Sequence, residues 1–120
     1  MNRFVIQQKL PSLNQVIEAN RGNKYSGATL KRHIDMVICQ YIQVALLQNK
    51  LMPVDECEVD IIWHEKTKRR DADNIQSSQK FILDAMVKMG IVKDDSRRYV
   101  KQVNHKIVDD TEDYVEVYLR

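Results

Sequence analysis

The chain is poor in metal-binding soft ligands: it has two cysteines, Cys39 and Cys57, and three histidines in 120 residues. The histidines are scattered and nothing has zinc-ligand spacing, which argues against a zinc site. Each cysteine lies in an apolar periodic segment, which predicts reduced, buried thiols and a cytoplasmic protein. No apolar run approaches the ~20 residues of a membrane span. Met1-Asn2-Arg3 passes straight into Phe4-Val5-Ile6, without a signal-peptide pattern. No stretch alternates oxygen ligands around a central glycine as an EF-hand does, which disfavours a calcium-stabilised structural domain. Repeats, linkers and low-complexity segments are lacking too. The formal net charge of +2 is too small to announce a nucleic-acid binder.

What is present is an ordinary apolar content and enough length for one domain, residues 1–120, with a small core. Phe4, Val5 and Ile6 predict a first strand, ending at Leu10-Pro11. Ser12 with Gln15 three residues on is a capping box opening a helix through about Ala19. Asn20 to Gly27 reads as a loop in which Arg21 and Lys24 can contact phosphates and Tyr25 can stack, or as a plain turn. Leu30, Ile34, Val37, Tyr41, Val44 and Ala45 recur at helical spacing and predict a long helix over about 28–49, with Lys31, Arg32 and His33 exposed near its start. Cys57, Val59, Ile61 and Trp63 alternate with polar residues and predict a second strand. His64, at its end, reads as a strand terminus and stays outside the site. Tyr99, Val103 and Ile107 mark a third strand. Val115, Val117 and Leu119 mark a fourth, pairing back on it as a hairpin across the acidic Asp109–Asp113 turn. Both sheet edges read as short. The order is an α+β, β-α-α-β-α-β-β sandwich with helices packed on a small mixed sheet.

The informative stretch runs from Arg69 to Ser96. Asp71 and Asp73 stand at the start of a helix, Asp94 and Asp95 beyond its end after Gly90, which is placed as a C-terminal cap. Crowded carboxylates repel unless a cation compensates, and hard oxygen ligands suit Mg²⁺ before Ca²⁺. At about 100° per residue, Asp73, Ser77, Lys80 and Asp84 share a polar stripe opposite Ile75, Ser78, Ile82, Met86 and Met89. Lys80 and Asp84, four apart, also suit a simple exposed ion pair. Lys66, Lys68, Arg69 and Arg70 run into Asp71, a basic approach that suits a phosphodiester held against a metal, or a solvated loop.

These residues carry a resemblance. Arg69-Arg70-Asp71-Ala72-Asp73-Asn74, then Lys80 four before Asp84 within Leu83-Asp84-Ala85, then Gly90 and Asp94-Asp95, resemble the RusA family of Holliday junction resolvases. The likeness is densest over about a quarter of the chain, and the order of elements extends it. Asp73 and Lys80 stand about one helical turn further apart than in the shorter bacterial form of the family, and this longer spacing looks like that of the form carried by phages and prophages of Gram-positive hosts.

The resemblance implies an endodeoxyribonuclease that resolves four-way junctions by paired nicks in DNA recombination and repair, in the cytoplasm of a bacterial or phage-infected cell. Asp71, Asp73 and Asp95 would be both catalytic residues and ligands to Mg²⁺, with Mn²⁺ a possible substitute; the family pattern favours Asp95 over Asp94. Lys80 would put a point charge near the scissile phosphate. Asn74, Asp84 and Asp94 would support the ligands from behind. Arg21, Lys24, Lys68, Arg69 and Arg70 would grip the backbone without reading sequence. A two-fold symmetric junction calls for a C2 homodimer and no membrane. The rival readings are a flap or fork nuclease and a DNA-binding module that does not cut. The rivals separate by experiment: symmetric cuts confined to four-way junctions, cuts in flaps, or binding alone.

Overall fold

The computed structural model describes residues 2–22 and 24–120, apart from the side chains at positions 24 and 25. Its element order is β1 (Asn2–Ile6), α1 (Leu13–Gly22), α2 (Lys24–Leu47), β2 (Cys57–Glu65), α3 (Ala72–Gln76), α4 (Gln79–Lys88), β3 (Val100–Asp109) and β4 (Tyr114–Leu119). The class is α+β, with helices and one mixed four-stranded sheet in the order β1-β4-β2-β3.

Alternation explains why β2 lies inside. Cys57, Val59, Ile61 and Trp63 all turn to one face and are buried there, joined by Phe4 and Ile6 of β1 and Val115, Val117 and Leu119 of β4. Ile34, Ile38 and Ile42 of α2 and Ile82, Ala85 and Met86 of α4 complete the same core. On the long helix the buried stripe is centred on Ile38 and Ile42, so Val44, expected inside, is 48% exposed.

The predicted β3–β4 hairpin is not formed. β2 lies between those strands, parallel to β3 and antiparallel to β4. A parallel partner requires a long crossover, and α3 with α4 supplies it. The connection after β3 then passes over the end of β2: the Asp110 N–H donates to the Glu65 carbonyl at 3.0 Å, and the Lys66 N–H donates to Asp113 Oδ1 at 2.8 Å. The edges are not both short either, since β3, at one margin, runs for 10 residues against 5 for β1.

Local signals set the helix ends. The Ser12 N–H donates to Gln15 Oε1 at 2.7 Å and the Gln15 N–H to Ser12 Oγ at 3.2 Å, the expected capping box. Gly90 has φ +72°, the Gly90 N–H donates to the Val87 carbonyl and the Ile91 N–H to the Met86 carbonyl, which is a Schellman cap. Of the expected loop over residues 20–27, residues 20–22 belong instead to α1 and 24–27 to α2, while residue 23 lies outside the described residues. Gly27 serves close helix approach: a Cβ there would stand 1.7 Å from Asn20 Oδ1.

The expected single helix after Asp71 is broken at Ser77-Ser78 into α3 and α4. Both serines turn to the β1–α1 linker. Ser77 Oγ accepts from the Leu13 N–H at 3.1 Å and Ser78 Oγ donates to the Pro11 carbonyl at 2.7 Å. Ser77 therefore leaves the polar stripe on which helical spacing placed it, while Ser78 and Ile75 are buried as expected.

Candidate active site

The site is framed where β2 ends. Glu65, its last residue, is 5% exposed and receives a two-pronged hydrogen bond from Arg70, Nε to Oε1 at 3.0 Å and Nη2 to Oε2 at 2.8 Å. Arg70 Nη1 also donates to the Leu10 carbonyl at 3.0 Å. Arg70, expected on DNA, is thus turned inward. Its guanidinium closes residues 66–69 into an exposed loop and delivers the chain to the start of α3. A guanidinium held at three points fixes the residues next to it along the chain, and removing one partner of such a buried pair costs about 3–5 kcal/mol.

Asp71 is the N-cap residue of α3, in extended conformation, yet its side chain makes no capping bond. Asp73 lies in the first turn, and both residues are exposed. Beyond α4, Asp94 Oδ1 accepts the Asp95 N–H at 2.9 Å, so Asp94 shapes the turn while the exposed Asp95 side chain stays outside that bond. Twelve of the chain's 17 acidic side chains pair with a cation or accept a hydrogen bond among the described residues. The five left over are Asp55, Asp71, Asp73, Asp95 and Glu112. Three of them are the residues that sequence pattern nominates as metal ligands.

Among the described residues, however, no three His, Cys, Asp or Glu side chains gather into a group that could hold a metal ion. The described residues of one chain therefore do not close a three-carboxylate cage. The donor chemistry still suits a hard cation. Mg²⁺ commonly takes one or two carboxylates and completes its shell with water and phosphate oxygens.

The remaining nominated residues are spread around this frame. Lys80 Nζ stands 3.7 Å from Asp84 Oδ2, with side chains 56% and 37% exposed, an ion pair of the ordinary i,i+4 kind. Asn74 Oδ1 accepts from Asn14 Nδ2 at 2.8 Å, tying α3 to α1. Lys68 pairs loosely with Asp109 at 3.5 Å and Arg21 with Glu18 at 3.1 Å, all four well exposed. Arg69 is exposed and has no ion pair among the described residues. The side chains of Lys24 and Tyr25 lie outside the described residues.

Sequence reasoning set His64 aside, and the structure gives it a framing part. It is 8% exposed, stacked on Tyr114 at 3.8 Å, with Nδ1 at 2.9 Å from Asp110 and Nε2 at 2.6 Å from Glu116. Two carboxylates thus flank one ring, one at each nitrogen. The Thr111 N–H first, then His64, hold the Asp110 carboxyl below its ordinary range. Burial pushes Glu116 up, but bonds from Tyr118 and His64 outweigh it and leave it lowered. No local spacing signals this clamp, since its partners lie 46 and 52 residues away.

Fold and site together define a small α+β protein whose surface carries uncommitted carboxylates beside a basic loop. The model of the family described as endodeoxyribonuclease RusA matches residues 2–120. The chain belongs to the RusA endodeoxyribonuclease family, and so is an endodeoxyribonuclease of the group that acts on Holliday junctions and depends on a divalent metal. Among curated proteins none matches the chain significantly. No helix among the described residues is long and apolar enough to cross a membrane.

Proposed function

We propose that this protein is a homodimeric, Mg²⁺-dependent resolvase that makes paired nicks in four-way junctions during DNA recombination and repair. The observation that carries the reading is the lack of any partner, among the described residues, for Asp71, Asp73 and Asp95, in a chain that commits most of its other acids. Asp71 and Asp73 would hold the ion from the entry of α3. Asp95 would complete the site when DNA or a second copy of the chain brings it near, since one chain alone does not gather the three. An Mg²⁺ or Mn²⁺ ion held there by Asp71, Asp73 and Asp95 would acidify water and offset charge on the phosphate.

The chain's own residues do the rest. Lys80 offers a point charge to the phosphate once it leaves Asp84, a loose exposed partner worth about 0.3–0.5 kcal/mol. Lys68 and Arg69, on the exposed loop, contact the backbone, and Arg21 does so from the end of α1. Arg70 acts through Glu65 by fixing where α3 begins. Paired nicks across a two-fold junction require two sites related by the same symmetry, which a C2 dimer provides.

The test compares labelled four-way junctions, flaps and linear duplex, with and without Mg²⁺, for the wild type and Asp73→Asn. Symmetric, metal-dependent cuts in the junction that vanish in the variant are expected. Cutting confined to flaps, or undiminished cutting by the variant, would overturn the proposal.

A further inference from the structure

Between the first half of α2 and the outer face of α4 lies a groove of about 420 Å³, floored by Ala28 and Phe81 and walled by charged side chains. Its two acids already have partners. Asp35 holds Lys88 at 2.5 Å, and Asp84 holds Lys80 at 3.7 Å. Lys31 and Arg32, both exposed, line the same groove and have no acidic partner among the described residues. Arg32 Nε makes a long bond to the Ala28 carbonyl, 3.4 Å, and its terminal nitrogens have no hydrogen-bond partner among the described residues. The groove thus carries three cations against two acids, and Lys31 and Arg32 are the ones without an acidic partner among the described residues, while Lys88 is held in a pair at its rim.

We infer that the α2–α4 groove is a phosphate-binding track for the DNA strand leaving the active site, with Lys31 and Arg32 as its donors. The inference rests on the resolvase reading and extends it. Continuity supports it: Asp84 lines the groove and pairs with Lys80, so the groove opens beside the residue expected at the scissile phosphate. Charge supports it as well, because a planar guanidinium next to a mobile ammonium is a pairing suited to phosphate oxygens. The unpaired cations at the rim suit a strand backbone, and about 420 Å³ is short for an acidic protein helix. Lys88 forms a reserve donor that Asp35 restrains.

The experiment measures binding of a four-way junction without divalent metal, over a range of salt, with cleavage in Mg²⁺ followed in parallel. The variants are Lys31→Ala with Arg32→Ala, Asp35→Asn, and a charge-matched control, Lys50→Ala with Lys101→Ala, each checked for folding by circular dichroism. The groove double variant should bind about tenfold more weakly and lose about one to two from the slope of log affinity against log salt. The control should change far less, and Asp35→Asn, which frees Lys88, should bind a few-fold more tightly. An unchanged salt slope in the double variant, or an equal loss in the control, would overturn the inference while leaving the nuclease reading intact. Weaker binding by a folded Asp35→Asn would overturn the part given to Lys88. A wild type that neither binds nor cuts junctions would remove the resolvase reading, and this inference with it.

Discussion

The crossover that joins β2 to β3 treats charge in two opposite ways. At the end of β2, Glu65 and Arg70 enclose each other, and nearby His64 sits between Asp110 and Glu116. The buried side-chain polar atoms of the described residues are all hydrogen-bonded. At the entry to α3 and beyond α4, Asp71, Asp73 and Asp95 lie exposed without partners among the described residues. Burial explains the difference. A charge out of water is tolerable only when paired, so the answered groups form a frame. An unanswered carboxylate at the surface costs the fold nothing and keeps its oxygens available for a cation.

That contrast is best challenged with substitutions that should act on one kind of group alone. Asp73→Asn should lower junction cleavage by about 10²-fold or more, the scale of losing one electrostatic partner of a transition state, while leaving urea-unfolding stability and junction binding unchanged or higher. Lost binding with an intact fold, seen as an absent gel shift, would contradict the assignment. Arg70→Ala should do the reverse in kind, costing about 3–5 kcal/mol of stability in a urea titration, because Glu65 is left buried and unpaired.

Smaller effects refine the contrast. Gly90→Ala meets no neighbour within 4 Å but must hold φ +72°, so about 1–2 kcal/mol of strain is expected in thermal unfolding. Acid should weaken the paired and buried groups of the sheet first. Burial pushes His105 down, while Asp60, held by Arg120 and then Asn104, and Asp110 are lowered carboxylates. Groups with lowered folded values bind fewer protons than the unfolded chain. Their stability is complete above the unfolded values and is lost on acidification, first below the ordinary histidine range and then through and below the carboxylate range. Urea midpoints from neutral to acid pH should fall in that order; a midpoint that rises with acid would contradict the sign. Least of all, Lys80→Ala should cost no more than about 0.5 kcal/mol of stability, so a large loss of cleavage in that variant would speak for a part in the reaction.

Much of this was legible in the chain. The capping box at Ser12, the cap at Gly90, the alternation of β2 and the buried side of α4 are each written within a few residues. So are the acidic positions, which the pattern nominates and which have no partners among the described residues. What sequence could not supply was partner choice over distance. Alternating Val115, Val117 and Leu119 fit a hairpin with β3 as well as the observed place between β1 and β2, and only the burial of β2 decides between them. The Arg70–Glu65 fork spans five residues outside any helix, so the basic run looked uniform although one member faces inward. Two serines tied to the β1–α1 linker break the helical phase between Asp73 and Lys80, which spacing alone could not reveal.

The nuclease mechanism stands or falls on three unanswered carboxylates coming together to hold a divalent ion on DNA. Mn²⁺ binding to the protein–junction complex, followed by electron paramagnetic resonance, is the sharpest test when the wild type is set beside Asp71→Asn, Asp73→Asn and Asp95→Asn. Each substitution should weaken Mn²⁺ binding, and cleavage should fall with it. Full Mn²⁺ binding and full cleavage by Asp95→Asn would contradict the shared site.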